Sequence, residues 1–222
     1  MINVDYLLWP VNDLTAAIVV FRGYRQRMFT LYPVFYAFLA TFLISSVLRA
    51  IIFLEFGVGS YAYYYAYYGT ALLFPIFQMA IIWTIRESIA AKAPLESKDL
   101  LLGGFVLSVL ALRIFTRIFE GSYPLLFTIL CVSVPFVAAF FVVYSRAILR
   151  VRRRVRLGRN VKGILLGVGL VTLTTVISHE RLYLLRDRSL YAFLQIFGNF
   201  CAHTIWVYCL WDRSPSRLIG ER

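Results

Sequence analysis

Seven long apolar runs follow one another along the chain, at 6–21, 32–54, 61–84, 100–118, 125–149, 163–178 and 191–211. A helix rises about 1.5 Å per residue, so ~20 apolar residues cross the ~30 Å hydrocarbon core of a bilayer. Turn formers or charges end the runs, among them Gly23, Gly57 with Gly59, Pro94, Gly121 with Pro124, Gly158 and Asp187. The runs are continuously apolar rather than alternating, which excludes a transmembrane β-barrel. The expected fold is therefore all-α, a polytopic bundle of seven transmembrane helices. The first and sixth runs are the shortest, and whether they span fully is open.

Composition narrows the class further. The 222 residues are 61% hydrophobic and only 15% charged, against about 45–50% apolar and about 25% charged in soluble domains. So few charges could not cover the apolar surface of a soluble fold, and the same figures exclude disorder. Seven spans with short loops use up the whole length, so residues 1–222 read as one transmembrane domain. No Lys or Arg precedes Arg22, so the start lacks the basic region of a secretory signal and reads as a retained first helix.

Basic residues orient the helices, since Lys and Arg accumulate on the cytoplasmic side. With the N-terminus outside, the loops 22–29, 85–99 and 146–162 and the tail from Asp212 lie inside and hold 17 of the 23 Lys and Arg. The other six are Arg49, Arg113, Arg117, Arg181, Arg186 and Arg188. The expected location is thus a bacterial cytoplasmic (inner) membrane, N-terminus outside and C-terminus cytoplasmic. The net charge of +12 is mostly this topological signal and does not indicate nucleic-acid binding. Trp9, Tyr6 and the tyrosines of 61–68 fit the outer headgroup level; Trp83, Tyr24 and Trp211 fit the inner one.

Three stretches, Arg25-Gln-Arg-Met-Phe-Thr-Leu-Tyr-Pro-Val-Phe-Tyr36, Tyr63-Tyr-Tyr-Ala-Tyr-Tyr-Gly69 and Ile81-Ile-Trp-Thr-Ile-Arg-Glu87, resemble a group of small seven-helix bacterial membrane proteins that often occur as several paralogues. The resemblance implies an inner-membrane location. No activity is attached to the group, so it implies no catalytic residues.

Catalytic motifs do not emerge from the residues. The three lysines (Lys92, Lys98 and Lys162) lie in loops, which excludes a retinal Schiff base in the last helix. No Gly-x-Ser-x-Gly, no His-Glu-x-x-His and no pair of intramembrane aspartates occurs. Cys131, Cys201 and Cys209 fall in apolar runs without metal-binding spacing, so no metal or other cofactor is expected.

Charges inside spans are costly and mark candidate sites. Asp13 is the one acid in the middle of a run. Arg49 stands at a comparable depth on the next helix, where it can pair with Asp13 or reach outward to Glu55. Arg113 and Arg117 share one face of the fourth run. Together with Tyr64 and Tyr68 these residues read as an outward pocket for an anionic or phenolic ligand, with solvated loop pairs as the plainer account. Gln195, Asn199 and His203 recur at every fourth position of the last run and form one polar stripe, facing the bundle interior. Gln78, Thr172, Thr174 and Thr175 are further polar groups for that interior. The motif Gly163-Ile-Leu-Leu-Gly167 permits close helix approach, within the chain or in a dimer.

The basic loop at 146–162 suits anionic lipid at the cytoplasmic face, through Arg150, Arg152, Arg153, Arg154 and Arg156, or an acidic partner. The expected function is a non-enzymatic ligand-sensing or partner-binding membrane component, with a homodimer or another membrane protein as its partner. The rival expectation is a small transporter or channel that uses Asp13, Arg49 and the polar stripe.

Overall fold

The structure is a computed structural model that describes residues 4–57, 59–87, 96–120, 125–151, 158–185 and 188–211. It is all-helical: α1 (Val4–Arg25), α2 (Pro33–Phe56), α3 (Tyr61–Ala71), α4 (Leu73–Glu87), α5 (Ser97–Glu120), α6 (Leu125–Val151), α7 (Arg159–Leu185) and α8 (Arg188–Cys209). α3 and α4 continue one another as a single rod over Tyr61–Glu87, so the described residues form seven rods. α2, the α3–α4 rod and residues Arg159–Ile177 of α7 are long and apolar enough to cross a membrane. The outer face of α2 presents Ile44, Val47, Ile51 and Leu54, the last 79% exposed. Such an apolar surface belongs against lipid rather than water, and the chain is a membrane protein.

The helices outrun the apolar runs where polar residues find partners on neighbouring rods. α1 continues past Phe21 because Arg22 donates to the Trp211 carbonyl at 2.8 Å and stacks 4.2 Å from its ring. Gln26, just beyond the helix, donates to the same carbonyl at 2.7 Å. The sixth run becomes a 27-residue helix, α7. Between α1 and α2 the chain turns through Arg27, a left-handed residue (φ 54°), and a single 3-10 turn at Met28–Thr30. Pro33 then opens α2, where its missing N–H costs nothing. Gly57, with φ 75°, ends α2, and the Ser60 hydroxyl caps α3 by accepting the Tyr63 N–H at 3.1 Å.

The one break the apolar pattern does not announce falls at Leu72. Leu72 still donates to the Tyr68 carbonyl at 3.1 Å. Pro75 has no N–H for the Ala71 carbonyl, and its ring crowds that carbonyl, so the helix restarts at Leu73.

Contacts between neighbours close a ring: α1 packs on α2, α2 on α3 and α4, these on α6, α6 on α7, α7 on α8, and α8 back on α1. α5 lies outside the ring against α6. The closest approach is α7 on α8. A methyl group at Gly163 would collide with Cys209, and one at Gly167 with the Trp206 indole. The Gly163–Gly167 motif is therefore used within the chain. One end of the ring is filled by an aromatic floor. There Trp206, 0% exposed, meets Phe35 edge-on at 5.1 Å, and Phe38 at 6.0 Å.

Candidate functional site

The ring of six rods encloses a cavity of about 320 Å3. Its apolar wall comes from Phe38 and Phe42 of α2, Phe74 of α4, Val134 and Val137 of α6 and Ile196 of α8. Its polar groups are Asn12, Arg49, Gln78, Thr172, Thr175, Gln195 and Asn199, and the rings of Trp9, Tyr63 and Tyr67 also line it. Among the described residues, α5 contributes nothing to it.

The floor is built on one pair. Asn12 of α1 and His203 of α8 are both buried, and their side chains meet through Asn12 Oδ1 and His203 Nδ1. The His203 ring in turn lies 4.9 Å from Phe42 and 5.2 Å from Trp206. The pair ties α1 to α8 directly beneath the cavity. Asn199 and Gln195 stand one and two turns before His203 on α8 and line the cavity itself. The polar stripe of the last run thus faces inward along its length, with His203 serving as support and the other two as wall.

The opposite end of the cavity is built on Arg49. Its Nε donates to Thr70 Oγ1 at 2.8 Å, and its Nη2 to Thr70 Oγ1 at 2.5 Å and to the Tyr67 carbonyl at 3.2 Å. The guanidinium also lies 4.6 Å from the Tyr67 ring. These are the last residues of α3. A cation there lies at the negative end of the helix dipole. The Pro75 break creates that helix end, and Arg49 caps it.

Asp13 and Arg49 take separate partners rather than each other. Asp13 Oδ2 accepts the Ser46 hydroxyl at 2.5 Å, and Ser46 Oγ accepts the Trp9 indole N–H at 2.8 Å. Arg49 remains within electrostatic reach of Asp13. Asp13 is absent from the described lining of the cavity and touches it through Ser46 and Trp9. Trp9, expected at the headgroup level, instead points its indole N–H inward.

The tyrosine helix presents a different face from the expected one. Tyr63 and Tyr67 line the cavity, while Tyr64 and Tyr68 pack on each other at 4.8 Å. Helical spacing groups these residues into faces correctly but does not say which face looks inward. Arg113 and Arg117 belong to α5, outside the ring, and their side chains lie outside the described residues, as do Arg150, Arg152, Arg153, Arg154 and Arg156. Trp9, Asn12, Tyr63 and Tyr67 are among the lining residues that sequence reasoning missed. Asn12 carries a usable signal, a carboxamide in mid-run beside Asp13.

No protein family, curated protein or solved structure matches the chain.

Proposed function

We propose that the chain is a seven-span protein of a bacterial inner membrane, N-terminus outside and tail inside, whose central cavity holds a small ligand that it senses or presents rather than transforms. The charge bias of the loops supports this threading. The lengths of α1, α5, α6 and α8, 22 to 27 residues, are enough for each to span. In this orientation the Arg49 end of the cavity lies in the outer half of the membrane.

The observation that carries the reading is the cavity itself, enclosed by six rods and furnished with a few polar groups on an aromatic and aliphatic wall. That is the usual build of a small-molecule site. Among the described lining residues there is no nucleophile–base pair, so binding without chemistry is the reading favoured. The basic segment 150–156 suits anionic lipid at the cytoplasmic face, and a second copy or another membrane protein is the partner class that would receive a binding signal.

The test is native mass spectrometry of protein extracted gently from its host membrane, wild type beside Ile196→Trp. A small molecule retained by wild type and absent from the filled variant supports the reading. A molecule retained equally by both, or by neither, counts against it.

One feature favours transport as a second reading. The α3–α4 rod is broken where it borders the cavity, and discontinuous helices beside a midplane cavity are a recurring transporter device. Flux of a small solute in proteoliposomes, lost on Asp13→Asn, would make this reading the better one.

A further inference from the structure

The cavity carries an unmet chemistry that is not cationic. Gln78 of α4 is only 6% exposed and lines the cavity, yet its carboxamide makes no hydrogen bond among the described residues. Asn199, half-buried, lines the same space, and its side chain makes no hydrogen bond among the described residues. Asn12, whose side-chain oxygen is engaged by His203, and Gln195 are further carboxamides on the same wall. Amide groups that line a cavity and have no partner from the chain are open to one from a ligand.

We propose that this cavity takes an uncharged planar ring with an amide-type edge, a hydrogen-bond donor beside an acceptor, as in a lactam, a ureide or a nucleobase. The proposal rests on the reading of the cavity as a ligand site and names the class of its ligand. A carboxamide offers one N–H donor and one carbonyl acceptor in a plane, and so pairs with such an edge through two hydrogen bonds. Phe38, Phe42 and Phe74 supply faces for the ring, which prefers offset or edge-on aromatic neighbours.

Other ligand classes fit less well. A carboxylate or phosphate, an acceptor only, would take the N–H of a carboxamide but leave its carbonyl oxygen facing another acceptor. Arg49, the one cation among the described lining residues, sits at the far end, bonded to Thr70 and Tyr67. An organic cation would find no acid among the described lining residues. A hydrocarbon would leave Gln78 and Asn199 unsatisfied. The volume of about 320 Å3 is at the small end of ligand sites and suits one or two fused rings rather than a lipid tail.

The experiment titrates three matched probes into the full chain in nanodiscs, read by saturation-transfer NMR: isocarbostyril (a fused-ring lactam), naphthalene and naphthoate. The lactam should bind about tenfold or more tighter than either isostere, the effect of one or two satisfied buried hydrogen bonds. Gln78→Leu and Asn199→Leu, each removing an unsatisfied polar group without changing the wall's extent much, should each erase that preference while leaving naphthalene binding intact. Tightest binding of naphthoate overturns the proposal in favour of an anion, and equal binding of the lactam and naphthalene overturns it in favour of an apolar cavity. If no lactam binds, the proposal fails. Loss of a co-purified molecule on Ile196→Trp would then show that the cavity reading itself stands, and its absence would take both down.

Discussion

The Arg49 guanidinium of α2 closes the C-terminal end of α3 by donating twice to Thr70 Oγ1, at 2.8 and 2.5 Å. Cation, helix end and hydroxyl form one unit, and removing either partner should weaken it. Arg49→Met and Thr70→Val are each expected to lower the unfolding temperature in detergent. A double-mutant cycle should give a coupling of about 1 kcal/mol, the usual size for interhelical hydrogen bonds in membranes. Additive effects would mean that the two do not act together.

Pro75 makes that helix end. Pro75→Ala restores the N–H that the Ala71 carbonyl lacks and removes the ring that crowds it. The rod should straighten, so stability should hold or rise while the Arg49 end of the cavity is displaced. The expected outcome is an undiminished unfolding temperature together with weakened lactam binding. Unchanged binding would show that the break does not shape the site.

Asn12 and His203 support the cavity from beneath. His203→Leu strands a buried amide, and Asn12→Leu strands an imidazole, so each should cost about 1–3 kcal/mol. The double variant Asn12→Leu with His203→Leu should be less destabilised than the sum of the two, because neither group is then left alone. Unfolding in a denaturing detergent titration reads all three.

The contact between α7 and α8 depends on absent side chains. Gly167→Ala drives a methyl group into the Trp206 indole and should cost about 1–3 kcal/mol by overpacking. Gly104→Ala, on α5, meets nothing within 4 Å and should be neutral or slightly stabilising, since Ala is the better helix former. Equal effects of the two would contradict the packing described.

The sequence made the helices legible because lipid imposes a crude rule, long apolar runs separated by charges and turn formers. It made Gln195, Asn199 and His203 legible because three polar residues at helical spacing on an apolar helix must share a side, and that side must find partners. The break at Leu72 was hidden inside a run that stays apolar throughout, although Pro75 is its cause. The tyrosine face that lines the cavity and the separate partners of Asp13 and Arg49 were hidden for one reason. Spacing within one helix says which residues travel together. Only the neighbours say which way they point, and here Ser46 claims Asp13 while Thr70 claims Arg49.

The most direct test of the cavity as a ligand site uses Gln78 as its reporter. In a chain carrying Cys131→Ala, Cys201→Ala and Cys209→Ala, the substitution Gln78→Cys places a single thiol on the wall. Labelling with a small neutral thiol reagent, with and without a bound ring amide, then asks whether that wall is reachable and occupied. The account predicts a thiol that reacts and is protected by the ligand. A thiol that never reacts, or that reacts at the same rate with the ligand present, would contradict it.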